Sequence, residues 1–306
     1  MRVLVTGGSG TLGQAVCSLL AAAGHSAVVF DLSPAVAMHE FDFERGDIRD
    51  GLRVLDAARS AGADGIIHLA SLLTMESGAD PVGAVAINSG GMVNALETAR
   101  ILGIRRFVWA SSAGVFKDYP RHAPIGNDAP YRPQTVYDGT KILNEMLARH
   151  YHDRFGLETV GLRFPTVLGV FKQRGRSGIV SRELVEKPVR GEAGRLPFGS
   201  GGANFLWVED AAGALLTALT GPKTASRHFN VSGDIRSLED ALAITRSLVP
   251  GARIELGEEV WVRDARLEDD AIERELGFRS TWKLEDQLRA LVERTRERAQ
   301  PEKTAG

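Results

Sequence analysis

A tyrosine and a lysine stand four residues apart in the stretch TVYDGTK, residues 135–141. On a helix, positions i and i+4 share one face, so the side chains of Tyr137 and Lys141 would project side by side. A phenol with a pKa of about 10 is a poor base at neutral pH, but a neighbouring ammonium group favours the phenolate. The pair therefore predicts a proton-transfer site with Tyr137 as general base. The alternative is a surface helix that carries both residues without a function.

A glycine-rich turn near the start of the chain indicates a nucleotide site. The stretch VTGGSGTLG, residues 5–13, joins a short apolar run to an Ala/Leu-rich helix. Its G-x-x-G-x-x-G spacing is one residue longer in the first gap than the usual dinucleotide fingerprint. Glycines there permit the tight turn and the approach of a pyrophosphate, and the N–H groups that begin the helix face the phosphates. The predicted phosphate-binding residues are Gly7, Gly10, Thr11, Leu12 and Gly13. A purely structural turn is the alternative.

Asp31 indicates which dinucleotide binds. It ends the second apolar run, SAVVFD, residues 26–31. A carboxylate at that position accepts hydrogen bonds from the ribose 2′- and 3′-hydroxyls and repels a 2′-phosphate. The residues that follow, LSPAVAM, include no Arg or Lys that could neutralise such a phosphate. The sequence therefore predicts NAD as cofactor in preference to NADP.

Short apolar runs alternate with helical patterns through the first half of the chain. The predicted strands are 2–6, 26–31, within 41–48, 65–70, 106–112 and 157–164, and the predicted helices are 11–24, 50–62, 80–103 and 134–154. Continuous apolar strands linked by helices indicate an α/β fold with a doubly wound parallel sheet and right-handed crossovers. From 165 to about 205 the pattern is rich in loops, with one helix near 178–190. Beyond it we expect a strand that leads into a helix at 205–219, a last sheet strand at 228–232, and helices at 237–249 and 283–298.

The composition excludes several classes of function. With 43% hydrophobic residues, a formal net charge of −2 and a pI near 6.4, the chain gives no electrostatic reason to bind nucleic acid. Its one cysteine, Cys17, lies among apolar helix residues and suits a buried role in a reducing compartment. We expect no signal peptide, no membrane span and no metal site, since the histidines lack paired ligand spacings. The prediction is a cytoplasmic protein.

Several motifs occur in one order along the chain: TGGSGTLG, VVFD, GDIRD, HLAS, SSAGVF, YDGTK and LRFPTVLG. In this order the sequence resembles the extended short-chain dehydrogenase/reductase superfamily, often called the NAD-dependent epimerase/dehydratase family. The resemblance covers residues 3–170, and FLWVEDAA and FNVSG extend it to about 233. It implies an NAD-binding Rossmann domain at 1–170, with the sheet completed by about 205–233. Residues 171–204 and 234–300 would then form a substrate-binding lobe over the carboxyl edge of the sheet.

The resemblance also implies roles for individual positions. Asp47 and Ile48 would flank the adenine, and Asn88 would brace the active site. Ser112 would hydrogen-bond the developing carbonyl oxygen, while Lys141 would also bind the nicotinamide ribose. The implied cofactor contacts beyond the glycine turn and Asp31 are Asp47, Ile48, Leu69, Ala70, Ser71, Asn88, Tyr137, Lys141 and Pro165. The implied catalytic residues are Ser112, Tyr137 and Lys141, and His68 is expected to be structural.

Three functions compete for this site: a dehydrogenase of a small sugar, sugar acid or hydroxy acid, a redox-neutral nucleotide-sugar epimerase or dehydratase, and a non-catalytic dinucleotide sensor. The sensor is disfavoured because the Tyr/Lys pair is present. The epimerase is disfavoured because Thr166 replaces a family Asn, and because Gly202, Ala203 and Asn204 stand where nucleotide-sugar enzymes tend to carry an Arg.

We therefore expect an NAD-dependent dehydrogenase, with the epimerase as the alternative. The residues expected to contact substrate are Thr74, Ser112, Ala113, Thr166, Arg174 and Arg176. The two arginines belong to a basic loop that would bind a carboxylate or lie in solvent. The resemblance further implies a homodimer formed through the helices at 80–103 and 134–154.

Overall fold

The computed structural model describes residues 1–35, 40–120, 123–170 and 175–299. Within these ranges the strands are β1 (Arg2–Thr6), β2 (Ser26–Asp31), β3 (Asp42–Arg45), β4 (Gly65–His68), β5 (Arg106–Ser112), β6 (Pro124–Ile125), β7 (Thr159–Phe164), β8 (Thr166–Leu168), β9 (Gly194–Trp207), β10 (His228–Asn230), β11 (Asp234–Ser237), β12 (Ile254–Arg263) and β13 (Arg266–Leu267). The helices are α1 (Thr11–Ala22), α2 (Gly51–Ala61), α3 (Thr74–Ala79), α4 (Pro81–Ala84), α5 (Gly91–Ile101), α6 (Val136–Phe155), α7 (Gly175–Val180), α8 (Lys187–Val189), α9 (Val208–Thr220), α10 (Leu238–Leu248), α11 (Asp270–Leu276) and α12 (Leu284–Ala299). None of the helices in these ranges combines the length and apolar character needed to span a bilayer.

The central sheet has seven parallel strands in the order β10-β7-β5-β4-β1-β2-β3. Apart from the edge strand β3, its strands are buried along most of their length, as expected for a sheet with helices on both faces. The chain order reverses at β1, whose neighbours are β2 on one side and β4 on the other. At such a switch point the loops after the strands diverge and leave a crevice for ligands. The predicted doubly wound α/β fold is confirmed.

A second sheet, with the order β11-β9-β12 and with β8 also paired to β9, was not predicted. The expectation of a loop-rich segment up to residue 205 is wrong, because β9 alone has 14 residues. Of the stretch 205–233, expected to complete the central sheet, β10 joins that sheet, whereas residues 205–207 belong to β9 of the second sheet. Glycines obscured β9 because they have low strand propensity. At Gly201, with φ of +101°, a Cβ atom would lie 2.2 Å from the carbonyl oxygen of Trp261, so the neighbouring strand approaches too closely for a side chain.

The helix predicted at 80–103 forms as α4 and α5 joined by a π-helical turn, Val85–Gly90. Such turns insert one residue into a helix and often occur at functional sites. The turn contains Asn88. The predicted helix at 134–154 forms as α6, which begins with a capping box at Thr135 and ends at Gly156, with φ of +69°.

Candidate active site

Two of the three motif glycines are required by close packing of the backbone. A Cβ atom on Gly7, whose φ is +70°, would lie 2.7 Å from the backbone nitrogen of Ala70. A Cβ atom on Gly13 would lie 2.5 Å from the Cα of Gly8, a glycine that the motif spacing did not single out. These contacts hold the turn against the start of α1 and against the segment after β4.

Gly10 differs from the other two glycines because its surroundings are open. Among the described residues, the only heavy atom within 4 Å of a Cβ built there is the carbonyl oxygen of Gly7, at 3.3 Å. Gly10 is the N-cap of α1, and its lack of a side chain leaves that helix without a side-chain cap. The first-turn residues Thr11 and Leu12 therefore present backbone N–H groups at an uncapped helix start, which is a suitable donor set for a phosphate group.

Asp31 lies at the end of β2, beside the glycine turn. Its carboxylate accepts hydrogen bonds from the backbone N–H groups of Ser9, at 3.1 Å, and Leu32, at 2.7 Å. These contacts fix the carboxylate at the carboxyl edge of the sheet, next to the switch point. The position fits the predicted contact with a ribose.

The segment after β4 lies against the glycine turn. The N–H group of Leu69 donates to the carbonyl oxygen of Thr6 at 2.9 Å, and Ala70 packs on Gly7. The hydroxyl of Ser71 donates to the carbonyl oxygen of Leu72 at 3.0 Å. Leu69, Ala70 and Ser71, which the resemblance implies as cofactor contacts, thus lie in the segment beside the predicted phosphate site.

Asp47 and Ile48, predicted to flank the adenine, lie in the loop after β3. Both carboxylate oxygens of Asp47 accept from Nε of Arg49 at 3.0 Å, and this hydrogen bonding lowers the pKa of Asp47. Ile48 is buried against Gly91 of α5, where a Cβ atom would lie 2.7 Å from Cγ1 of Ile48. The side chain of Ile48 therefore serves the contact between the loop and α5.

Asn88 braces two segments of the site. Its Oδ1 accepts from the N–H group of Leu72 at 2.7 Å, and its Nδ2 donates to the carbonyl oxygen of Leu72 and to Oγ1 of Thr140, both at 3.1 Å. Thr140 in turn donates to the carbonyl oxygen of Tyr137 at 2.8 Å. The amide hydrogens of Asn88 are fully used and the side chain is 1% exposed. These contacts fit the predicted bracing position, and the cofactor contact of Asn88 stays a prediction.

Ser112, Tyr137 and Lys141 come together at the carboxyl end of β5. Oγ of Ser112 accepts from the N–H group of Gly114 at 3.0 Å, and the Ser112 hydroxyl lies near enough to the phenol to lower the pKa of Tyr137. Nζ of Lys141 lies 5.4 Å from the centroid of the Tyr137 ring and donates to the carbonyl oxygen of Ala110 at 2.9 Å. The residues that the sequence grouped by motif are therefore neighbours in space.

The pKa of Tyr137 differs from the expected one. Burial raises this pKa to about 12, the hydrogen bond with Ser112 lowers it, and the carboxylates of Asp138 and Glu76 raise it further. The sequence predicts that Lys141 lowers the pKa of the phenol. In the protein alone this pKa is raised instead, because the effect of burial is larger than that of the groups that lower it. Phenolate formation therefore requires further positive charge beside the ring.

The ammonium group of Lys141 is also buried. Burial lowers the pKa of Lys141 to about 8, and the carboxylate of Glu145 raises it. A group with this pKa is mainly charged at pH 7. His68, which Lys141 faces, accepts or donates a hydrogen bond at 2.8 Å to Oγ1 of Thr6, and burial lowers its pKa to about 3. His68 is thus neutral at physiological pH, in accord with its expected structural role.

Asp138 was not predicted as part of the site. It is 2% exposed, and its Oδ2 accepts from the N–H groups of Thr135 at 2.9 Å and Gln134 at 3.2 Å. Nζ of Lys117 lies 3.8 Å from the same oxygen. The T-x-x-D pattern of a capping box in the sequence could have identified it. Asp138 fixes the first turn of α6 and so the position of Tyr137.

A buried ion pair lies below the catalytic residues and was also missed. Both oxygens of Glu145 accept from Arg163, at 2.9 Å from Nε and 2.7 Å from Nη2. Glu145 further accepts from the hydroxyls of Ser111 and Tyr131, each at 2.7 Å. Glu145 is four residues after Lys141, on the same helical face, and this spacing was the available signal. The network holds α6 to β5 and β7.

Acid should unfold the protein through its buried histidines. Burial lowers the pKa of His228, which lies 3.7 Å from Glu145, from 6.5 to about 4. The unfolded chain binds the proton below pH 6.5 and the folded chain does not, so the free energy of unfolding should fall as pH drops from 6.5 to 4. Urea unfolding at a series of pH values should show this slope, and His228→Asn should flatten it. Removal of the exposed His150 by the same substitution should leave the slope unchanged; an equal effect of both variants would contradict the assignment.

The residues predicted to contact substrate are only partly brought together. Thr74 begins α3, Ala113 begins the 3₁₀ turn that follows Ser112, and Thr166 begins β8 and is 9% exposed. Pro165, predicted as a cofactor contact, directly precedes β8. Arg176 is paired with Glu259 at 3.0 Å, so it is not a free cation. Arg174 lies outside the described residues.

Sequence comparison identifies the family. A profile described as "NAD dependent epimerase/dehydratase family" matches residues 3–232. An uncharacterised epimerase/dehydratase of Staphylococcus aureus is 34% identical over 133 residues, which are 44% of this chain and 41% of that protein. The match thus spans about two fifths of the curated relative.

Comparison with solved structures gives matches over nearly the whole chain. UDP-glucose 4-epimerase of Thermus thermophilus, in complex with NAD, has a TM-score of 0.85 and 25% identity, covering 97% of this chain and 99% of that one. L-threonine dehydrogenase of Cupriavidus necator has a TM-score of 0.86 and 20% identity, covering 96% and 99%. A partial-consensus L-threonine 3-dehydrogenase has a TM-score of 0.89 and 20% identity, covering 97% and 100%. Similarity at this last level shows the fold alone.

Proposed function

Because the chain belongs to the NAD-dependent epimerase/dehydratase family, we propose that it is an NAD-dependent dehydrogenase of a small hydroxylated substrate, such as a sugar, a sugar acid or a hydroxy acid. The observation that carries the proposal is the convergence of Ser112, Tyr137 and Lys141, with the ammonium 5.4 Å from the centroid of the phenol ring and the Ser112 hydroxyl near enough to lower the pKa of Tyr137. This set can move a proton to or from a substrate hydroxyl.

Each of the three residues has a distinct task in the proposal. Tyr137 removes the hydroxyl proton, and Ser112 hydrogen-bonds the oxygen as it becomes a carbonyl. Lys141, with a pKa of about 8, supplies positive charge near the phenol at pH 7. NAD, when bound on the glycine turn, supplies the hydride acceptor and a positively charged ring. Burial raises the pKa of Tyr137 to about 12. At pH 7, removing its proton costs roughly 1.36 kcal/mol for each unit by which the pKa exceeds the pH. Positive charge from both Lys141 and the nicotinamide ring is therefore needed.

The surroundings of Asn204 support a small substrate over a nucleotide sugar. Its Nδ2 donates to Oγ of Ser232 at 3.0 Å and to the carbonyl oxygen of Ala265 at 3.1 Å, and its Oδ1 accepts from the N–H group of Gly233 at 2.7 Å. Asn204 is buried and fully used by the protein. At the position where nucleotide-sugar enzymes tend to carry a phosphate-binding Arg, this chain thus offers a side chain whose donors are already engaged.

A nucleotide-sugar epimerase is the second candidate, favoured by two observations. One is the 25% identity to a UDP-glucose 4-epimerase over 97% of the chain. The other is the pair of cations Lys117 and Arg263, which are near enough to repel each other and would suit an anionic substrate.

The two reactions differ in whether NADH is released. The purified protein should be mixed with NAD and a panel of alcohols, sugar acids and nucleotide sugars, while absorbance and product isomers are followed. Net NADH with a small substrate supports the dehydrogenase. An isomerised nucleotide sugar without NADH overturns it in favour of the epimerase, and tight NAD binding with neither product favours a dinucleotide sensor.

The preference for NAD should depend on Asp31. Replacing Asp31 by Ala and Leu32 by Arg removes the carboxylate that would repel a 2′-phosphate and adds a cation that would bind it. Because hydrogen bonds to charged groups contribute about 1.5–3 kcal/mol, the ratio of NAD to NADP affinity should fall roughly 10- to 100-fold. Fluorescence titration with both nucleotides measures the ratio. An unchanged preference for NAD would refute the role given to Asp31.

We also propose that two copies associate through the helices α4, α5 and α6. Exposed apolar side chains lie along these neighbouring helices, among them Val82, Val85, Ile101, Leu143 and Met146. Several exposed apolar side chains on helices that pack together are typical of an interaction surface. A pair of helices from each copy would cover it.

Charge placed on this surface should separate the copies. Met146→Glu, at a side chain that is 62% exposed, would bury an unpaired carboxylate in the proposed interface. Light scattering after size exclusion should give twice the chain mass for the wild type and a single chain mass for the variant. The control Leu52→Glu, on α2, should keep the wild-type mass. A monomeric wild type, or a variant of dimer mass, would contradict the proposed interface.

A further inference from the structure

The start of α3 is tied to the helix that carries the general base. The side chain of Asn88 accepts a hydrogen bond from the N–H group of Leu72 and donates to the carbonyl oxygen of Leu72. It also donates to the hydroxyl of Thr140, one turn after Tyr137. The N–H group of Ser77 donates to the carbonyl oxygen of Leu73 at 2.8 Å, which closes the first turn of α3. These contacts fix the side chains of α3 relative to the phenol.

Glu76, in that first turn, has an unused oxygen. Its Oε2 is buried and, in the part of the chain that the structure describes, has no hydrogen-bond partner. α3 packs against α6, the helix that carries Tyr137, and the carboxylate of Glu76 is near enough to act electrostatically on the phenol. Buried polar atoms are almost always paired, so an orphaned carboxylate oxygen on a helix packed against α6 needs a physical reason.

The favourable interaction of a carboxylate with the dipole of α3 is too small to explain why Oε2 of Glu76 is buried. An acidic side chain in the first turn of a helix gains about 0.3–1 kcal/mol, and an exposed position would suffice for it. A buried acceptor without a partner costs about 1–3 kcal/mol, and more when it is charged. α3 has only six residues, which weakens the helix contribution further. The burial of Oε2 is therefore unexplained by the protein alone.

We propose that Glu76 determines substrate specificity by accepting a hydrogen bond from an ammonium or hydroxyl group on the carbon next to the one that is oxidised. The inference rests on the proposed function, because it places the reacting hydroxyl at Tyr137 and Ser112. A donor group one carbon away, on the side of the site where α3 packs against α6, would be directed toward this carboxylate. An ammonium group would in addition offset the repulsion between Glu76 and a phenolate.

Three small secondary alcohols test the assignment on the NAD-loaded protein: 1-amino-2-propanol, 1,2-propanediol and 2-propanol. They differ only in the group beside the carbinol, and their dissociation constants can be measured by NMR titration. The probe whose donor group reaches Glu76 should bind roughly tenfold tighter than 2-propanol, because one hydrogen bond to a charged group contributes about this much affinity. The tighter of the first two probes identifies the donor as ammonium or hydroxyl.

Glu76→Gln should remove this preference, because the amide keeps the shape but loses the charge. Glu255→Gln, at an exposed carboxylate on β12, is the matched control and should retain it. The proposal would be overturned if all three probes bound equally or if none bound measurably. It would also be overturned if the preference survived Glu76→Gln. If the preference depends on Glu76 but no substrate yields NADH, the proposed reaction fails and the assignment of Glu76 stands. If NADH forms without a Glu76-dependent preference, only the assignment fails.

Discussion

Replacing Tyr137 by Phe is expected to lower kcat for the eventual substrate by roughly 10²- to 10⁴-fold, the usual contribution of a positioned general base. The phenyl ring keeps the packing of α6 but cannot accept a proton. NAD should still bind, because the glycine turn, Asp31 and Lys141 are untouched. Steady-state turnover and NAD titration of the same preparation separate the two effects.

Tyr151→Phe is the matched control for this experiment. Tyr151 belongs to the same helix, 14 residues further on, which at about 1.5 Å per residue is roughly 21 Å away. Its hydroxyl donates to Glu97 at 2.8 Å, outside the site. Turnover of this variant should remain close to that of the wild type. A Tyr137→Phe enzyme with near-wild-type turnover would show that another group takes the proton.

Replacing Arg163 by Met should lower the free energy of unfolding by about 3–5 kcal/mol, the usual cost of leaving a buried charge without its partner. Arg163 and Glu145 have side-chain exposures of only 4% and 0%. The substitution would leave both oxygens of Glu145 without their strongest donors, although Ser111 and Tyr131 would remain. Urea or guanidinium unfolding of the two proteins gives the difference.

Arg59→Met gives the comparison for an exposed pair. Arg59 and Asp56 are 3.1 Å apart, with side-chain exposures of 58% and 63%. Pairs of this kind contribute about 0–1 kcal/mol, so this variant should unfold almost as the wild type does. Similar losses in the two variants would mean that the Glu145–Arg163 pair does not anchor α6.

The central sheet could be predicted because its information is local. Strands such as β1 are continuous apolar runs, and Gly7 and Gly13 of the turn between β1 and α1 stand where a tight backbone contact requires them. The second sheet could not be predicted in the same way. β9 includes a glycine-rich stretch, and its stability comes from partners such as Trp261, which stacks on Phe198 with ring centroids 4.8 Å apart although the two residues are distant in sequence.

The site shows the same division between local and long-range information. Tyr137 and Lys141 could be paired by helical spacing alone. The raised pKa of Tyr137 could not be foreseen, because desolvation depends on every segment that covers the ring, and Glu76 comes from a separate helix. The partner of Glu145 was likewise hidden, since Arg163 lies on the strand after the helix and no spacing rule connects the two.

A crystal structure with NAD bound tests the central claim most directly. We expect the pyrophosphate at the glycine turn, the nicotinamide ring beside the Tyr137 phenol, and the Lys141 ammonium within hydrogen-bonding distance of the nicotinamide ribose. If the cofactor lies elsewhere, or if the hydroxyl of Tyr137 turns away from the ring into solvent, this residue cannot be the base and only nucleotide binding would remain.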